Sequence, residues 1–173
     1  MTAIYGAAGE DGRRLAWPLL ERAAALRWGW LALPPVARSP RGRPFFPGLE
    51  GHWFSLSHSG GLALCALSDG PVGVDVELVR PRRPELPRRL LGRAELARFD
   101  GSWEEFFRLW TLKESWCKRE DAPLYPPHRV ETPPPCPHKS YAGANWRAAV
   151  CCAGTPPEDI IWLEVNCKEE GSL

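Results

Sequence analysis

Net charge, paired cysteines and long apolar runs are all scarce in this sequence. Lysine and arginine total 22 against 21 acids, a formal net charge of +1. No global field therefore draws the chain to nucleic acid or to an anionic membrane. The six cysteines, at 65, 117, 136, 151, 152 and 167, include no C-x-x-C pair and no regular spacing. That pattern excludes a disulfide framework and a zinc finger, and Cys136-Pro137-His138 is too sparse a ligand set for zinc. No apolar run reaches the roughly 20 residues a membrane span needs. Met1–Glu10 has neither the basic nor the apolar part of a signal peptide. The expectation is a soluble cytoplasmic protein with reduced thiols, whose 173 residues form one compact unit or two small lobes.

Stretches of regular pattern are separated by proline-rich ones. Residues 13–30 read as a first helix, with Leu15, Leu19, Ala23, Leu26 and Trp30 on one face. Pro18 is comfortable only in a first turn, so the helix is expected to begin near Trp17 or to kink. Leu33–Pro47 holds five prolines and reads as an extended loop. From Trp53 the pattern becomes strand-like: Phe54 to His58 alternate, and Leu62–Leu67 is a continuous apolar run. After the turn signal Ser68-Asp69-Gly70-Pro71, a further strand is expected to form a hairpin with that run. Arg80–Arg98 contains seven arginines and three prolines. Its prolines exclude an early helix, while Leu90–Phe99 suits one. Asp121–Lys139, with seven prolines, reads as irregular. Trp146–Cys152 and Ile160–Val165 are the last expected strands. Ala149-Val150-Cys151-Cys152-Ala153 echoes Leu62-Ala63-Leu64-Cys65-Ala66, each followed by a turn and an apolar strand, which suggests two similar lobes.

Two places put carboxylates where they are costly. In Val72-Gly73-Val74-Asp75-Val76-Glu77 the valines alternate with Asp75 and Glu77, so the acids share one face of a strand at about 7 Å between Cα atoms. They repel unless something positive lies beside them, and a hard divalent cation suits that spacing. The second place is the helix 102–119, opened by a capping box of Ser102 and Glu105. With Trp110 at zero, Trp103 falls at about 20°, Phe107 at about 60° and Glu114 at about 40° around the helix axis. Glu114 therefore lies within the apolar stripe, at a cost of several kcal/mol unless paired, protonated or metal-bound. An i,i+4 pair with Lys118, worth about 0.2–0.5 kcal/mol, is too small to justify that placement.

Gly42-Arg43-Pro44, Ser57-His58-Ser59-Gly60, Gly73-x-Asp75-x-Glu77, Glu95, and Trp110-x-x-Lys113-Glu114-Ser115 with Lys118 occur in an order and spacing that resemble the 4′-phosphopantetheinyl transferases of the surfactin-synthetase-activating class. The resemblance runs from about Arg13 to Val165. It implies an α+β fold of two similar α/β lobes related by a pseudo-twofold, here residues 1–73 and 74–173, with the active site between them. It also implies transfer of 4′-phosphopantetheine from coenzyme A to a serine of an acyl or peptidyl carrier protein, with release of 3′,5′-ADP. By the same resemblance Asp75, Glu77 and Glu114 would hold Mg²⁺ (or Mn²⁺), and Ser57 and His58 would contact coenzyme A phosphate. Lys118 would contact the diphosphate, Arg43 and Pro44 would lie along the adenine, and Arg13 or Arg14 would reach the 3′-phosphate. The catalytic set is then Asp75, Glu95, Glu114 and Lys118, with Glu114 or a water held by Glu95 as base. Phosphoryl transfer asks chiefly for positioning and charge neutralisation, which such residues supply. The arginine-rich stretch 80–98 is the expected dock for an acidic carrier.

The sequence departs from the family at two points. Arg119-Glu120-Asp121-Ala122-Pro123 stands where members often have a Gly-Lys-Gly-like segment, and basic residues usual ahead of the first helix are missing. The alternatives are a non-catalytic module that binds coenzyme A or a carrier protein, and a metal-dependent exonuclease. The exonuclease would need further ligands downstream, and only Asp121 and Asp159 follow Glu114 as aspartates. Nucleic-acid binding would need exposed aromatics among the basic residues, whereas the tryptophans fall on apolar stripes. A monomer with no membrane partner is expected.

Overall fold

The computed structural model describes residues 1–165. The elements are strand β1 (Thr2–Ala8), helix α1 (Gly12–Trp28), β2 (Ala37–Arg38), β3 (Pro44–Phe45), β4 (Trp53–Ser59), β5 (Leu62–Ser68), β6 (Val72–Leu78), α2 (Leu86–Leu90), α3 (Arg93–Leu96), α4 (Trp103–Glu120), β7 (His138–Ala142), β8 (Trp146–Cys152) and β9 (Ile161–Trp162). The fold is mixed α and β. One sheet has the order β4-β5-β1-β9, a second β6-β8-β7, and β2 with β3 makes a small ribbon.

Side-chain alternation dictates the layers. On β5, Ala63, Cys65 and Leu67 face α1, while Leu64 and Ala66 face the second sheet. Burial on both sides explains its unbroken apolar run. On β6, Val72, Val74 and Val76 meet Ile4, Leu64 and Ala66 from the first sheet and Ala148, Val150 and Cys152 from β8. Each such aliphatic side chain contributes about 1.5–3 kcal/mol on burial. The alternate residues Gly73, Asp75 and Glu77 are left toward α4, which packs on β6 and β8. The order is therefore helix, sheet, sheet, helix.

At one corner the two sheets are joined without a backbone ladder. The hydroxyls of Ser55, Ser57 and Ser59 on β4 accept the amides of Val74, Val76 and Leu78 at 3.0, 3.2 and 3.1 Å. Every second residue of one strand thus satisfies every second residue of the other, by side chain instead of carbonyl.

Several expectations are corrected. The hairpin between Leu62–Leu67 and the Asp75 strand does not form: β5 pairs with β1 and β4, and β6 pairs with β8. The turn carries the chain between sheets. The echoing segment makes the reverse crossing, from β8 to a β9 shorter than expected that runs parallel to β1 beside Tyr5 and Gly6. Helix α1 neither begins at Trp17 nor stops at Pro18. It starts at Gly12 under an Asp11 cap and runs through Pro18 to a left-handed Gly29. An interior proline costs about 3 kcal/mol, which burial of Leu15, Leu19 and Leu20 offsets. β1 was not anticipated, and β7 replaces the end of the irregular segment. In the stretch 90–99, where a helix was expected, only the short α3 forms, and α2 forms ahead of it where the prolines were expected to exclude a helix, with Pro87 accommodated in its first turn. The capping box is half formed: Ser102 Oγ accepts from Glu105 N, while Ser102 N donates to Asp100 and the Glu105 carboxylate binds Arg108. Cys167 lies outside the described residues. Among the described residues no helix is long and apolar enough to cross a membrane.

Candidate active site

Gly73 lets the site form. A Cβ there would stand 2.0 Å from the carbonyl oxygen of Ser115 and 2.5 Å from the amide nitrogen of Arg119. Only glycine permits the backbone of α4 to lie this close to β6, and that approach brings Glu114 and Lys118 over Asp75 and Glu77.

Asp75 is 4% exposed. Its Oδ1 accepts the Ser57 hydroxyl at 2.7 Å and the Lys118 ammonium at 2.7 Å. Its Oδ2 is buried and has no partner. Lys118 also donates to the carbonyls of Val74 at 3.2 Å and Leu56 at 3.5 Å. Glu77 is half-buried, and its Oε2 accepts the Ser59 hydroxyl at 2.8 Å. Burial raises its pKa, against the Ser59 bond and with the help of the Asp75 charge. Glu114 has no hydrogen-bonded or ionic partner among the described residues. Burial first, then the Asp75 charge, push its pKa from 4.5 up to about 7, with Lys118 opposing and Glu77 adding. An acid whose pKa is lifted by burial and like charge is a common mark of a functional site.

A cleft of about 270 Å³ opens beside Glu114 and Lys118, which wall it with Arg43, Pro44, Leu56 and Asp121, among others. The ribbon β2–β3 closes one side by capping the C-terminal end of α4. Arg43 Nη1 donates to Arg119 O at 3.2 Å, and Arg41 Nη1 to Asp121 O at 2.8 Å. The Arg43 guanidinium also lies 5.1 Å from the centre of the Trp53 ring. Asp121, in the segment where glycine and lysine were expected, takes the left-handed cap of α4 at φ 51°.

Of the residues singled out in the sequence, Asp75, Glu77, Glu114, Lys118, Arg43 and Pro44 are thus gathered here, with Ser57 beneath them. Ser57 is buried, and its hydroxyl donates to Asp75 Oδ1 and accepts the Val76 amide. The acids stand in an open arrangement. Among the described residues no three His, Cys, Asp or Glu side chains stand close enough to share a metal ion.

Glu95 lies in another cluster. It is 5% exposed, accepts the Gly92 amide at 2.5 Å and the Thr132 hydroxyl, and pairs with Lys113 Nζ at 2.8 Å. Lys113 is wholly buried and also donates to the carbonyls of Pro127 and Val130. It knits α3, α4 and the loop before β7 together. The sequence motif includes this lysine without indicating its part. The available signal was that α4 carries the small side chains Thr111 and Ser115 off the aromatic stripe, as a helix buried nearly all round does. His58, Arg13 and Arg14 are exposed. The glycines beside His58 make the β4–β5 turn, whose carbonyls accept the amides of Gly9 and Gly12 at 2.9 and 2.7 Å. They serve packing against α1.

Comparison with known proteins completes the description. The family model of the 4′-phosphopantetheinyl transferase superfamily matches residues 71–146, from just before β6 to the start of β8. The 4′-phosphopantetheinyl transferase Sfp of Bacillus subtilis (strain 168) is 32% identical over 145 residues, covering 70% of this chain and 65% of that protein. A 4′-phosphopantetheinyl transferase of Bacillus subtilis is 29% identical over 178 residues, covering 88% and 77%. The 4′-phosphopantetheinyl transferase AcpT of Salmonella typhi is 33% identical over 129 residues, covering 68% and 64%. The chain thus matches less than two thirds of the length of the first and third of these relatives.

Proposed function

We propose that the chain is a member of the 4′-phosphopantetheinyl transferase superfamily and that it moves the 4′-phosphopantetheine group of coenzyme A onto a carrier-protein serine. The observation that carries this reading is the meeting of strand acids Asp75 and Glu77 with Glu114 and Lys118 of α4 beside a cleft rimmed by Arg43. The serine oxygen forms a bond to the β-phosphorus, the bond to the leaving oxygen breaks, and 3′,5′-ADP departs. Glu114, with a pKa of about 7, takes the serine proton. Lys118 is a point charge for the negative charge that grows on the leaving group. Arg43 and Pro44 border the adenine, and Arg13, Arg14 and His58 are exposed to reach phosphate. Glu95 is already engaged by three donors and takes a structural part.

The acids suit a hard divalent cation. Every donor is oxygen, Asp75 has an orphaned buried Oδ2, and burial together with the Asp75 charge raises the pKa of Glu77 and Glu114, so the donor set fits such an ion while the spacing of the three acids is wider here than a shared ion requires. Asp75, Glu77 and Glu114 would hold Mg²⁺ or Mn²⁺, which when bound would neutralise and polarise the diphosphate.

The division proposed is two α/β lobes, residues 1–73 and 74–173, related by a pseudo-twofold with the site between them. In support, each sheet has its own long helix, and the two echoing segments cross between the sheets in opposite directions. The carrier docks on Arg80–Arg98, whose seven arginines are exposed and enter no ion pair among the described residues. Two of them, Arg82 and Arg88, flank a groove of about 790 Å³ that holds Leu96, Phe99 and Trp103. The setting proposed is a cytoplasmic monomer. A binding-only module is the second reading, favoured by the open spacing of the acids.

Mass spectrometry of a panel of apo carrier proteins incubated with the protein, Mg²⁺ and coenzyme A decides between the two. A gain of the phosphopantetheine mass on the carrier serine is the expected result. Complex formation without that gain would establish the binding module instead.

A further inference from the structure

The ammonium of Lys118 is the positive charge in contact with Asp75. Its three N–H groups have one acceptor each: Oδ1 of Asp75 at 2.7 Å, the carbonyl of Val74 at 3.2 Å and that of Leu56 at 3.5 Å. Oδ1 is doubly satisfied, because the Ser57 hydroxyl reaches it too. Oδ2 of the same buried carboxylate has no partner. A buried acid so lopsidedly served is unusual. It is half committed to an internal lysine and half open to something else. The lysine is not locked in place either, since 30% of its side chain is exposed and it lines the cleft with Arg43 and Glu114.

We infer that Lys118 is an exchangeable counter-ion, holding Asp75 until a divalent cation and the coenzyme A diphosphate arrive together, so that the two ligands bind cooperatively. The identity of the ligands rests on the function proposed above. A bare cation approaching Asp75 meets a positive charge already in contact with it, and like charges this close repel strongly. A diphosphate changes the balance by offering Lys118 new acceptors on its exposed side, and the vacated carboxylate is then free for the cation. Linkage makes the effect reciprocal: the factor by which coenzyme A tightens the cation is the factor by which the cation tightens coenzyme A. Lys118 is thereby a positioning residue for the metal site as well as a contact for the diphosphate.

The test is calorimetric titration of Mn²⁺ into the full chain, with and without coenzyme A, for the wild type, Lys118→Met and Lys118→Gln. Melting curves establish that the variants are folded. In the wild type, coenzyme A is expected to tighten Mn²⁺ at least tenfold. Lys118→Met is expected to bind Mn²⁺ alone about tenfold more tightly than the wild type, with coenzyme A adding less than threefold. Lys118→Gln keeps hydrogen bonds to the carbonyls without the charge and is expected to behave like the methionine variant. Unchanged affinity for Mn²⁺ alone in both variants overturns the inference, as does full coupling surviving in either. The readout needs no carrier protein. Failure to modify any carrier would therefore sink the transferase reading while leaving the counter-ion result to stand or fall on its own.

Discussion

Glu114 is the acid of the cleft with no partner of its own, and its behaviour follows from that. In the metal-free protein it keeps its proton up to about pH 7, whereas the unfolded chain releases it near the ordinary 4.5. Between those values the folded state binds more protons, so stability falls as pH rises through the interval, by about 3 kcal/mol. Thermal melts from pH 4 to 8 are expected to show this decline, and Glu114→Gln to flatten it. The same variant is expected to abolish transfer with the fold intact; unchanged turnover would remove Glu114 from the chemistry. Lys113 is the opposite case, a charge fully matched by acceptors. Lys113→Met leaves the Glu95 carboxylate buried without its cation and is expected to cost about 3–5 kcal/mol, read from the urea midpoint at unchanged slope. Glu114 was legible in the sequence because the helical wheel placed it among aromatics. Lys113 was not, because its acceptors at 95, 127 and 130 are assembled only by closure of the loop after α4.

Among the elements, α4 and β6 are set by one absent side chain. Gly73→Ala puts a methyl group against two backbone atoms that cannot turn aside. Overpacking of that kind costs about 1–3 kcal/mol. A lowered melting temperature together with lost activity is expected, because α4 carries both Glu114 and Lys118. If melting alone changed, the spacing of α4 from β6 would not govern the site. The alternation of β6 and the period of α4 were readable locally, since each element buries one composition and presents another. Strand partners were not. The turn Ser68–Pro71 could be recognised, but its local pattern is the same whether the chain doubles back or crosses to another sheet. β1 was missed for a related reason: a short apolar run at the start declares itself only through pairing with β5, some sixty residues on.

For the whole molecule, the return of the chain to the first sheet matters most. β9 lies beside β1, the amide of Leu163 donates to Gly6 O at 2.8 Å, and Leu163 and Val165 pack on the core under α1. Ending the chain at Asp159 is expected to lower stability by roughly 3 kcal/mol, the burial of about two aliphatic side chains, measured by urea denaturation. A loss below about 0.5 kcal/mol, the size of an ordinary surface substitution, would make that crossing ornamental. The corner between the sheets carries a different consequence. Ser57 and Ser59 each grip an amide and a carboxylate of β6 with the same oxygen. Any slippage of one half against the other must therefore turn Asp75 and Glu77, and any torque on those acids is felt along the join. Aim and alignment are geared to each other, and neither can drift alone.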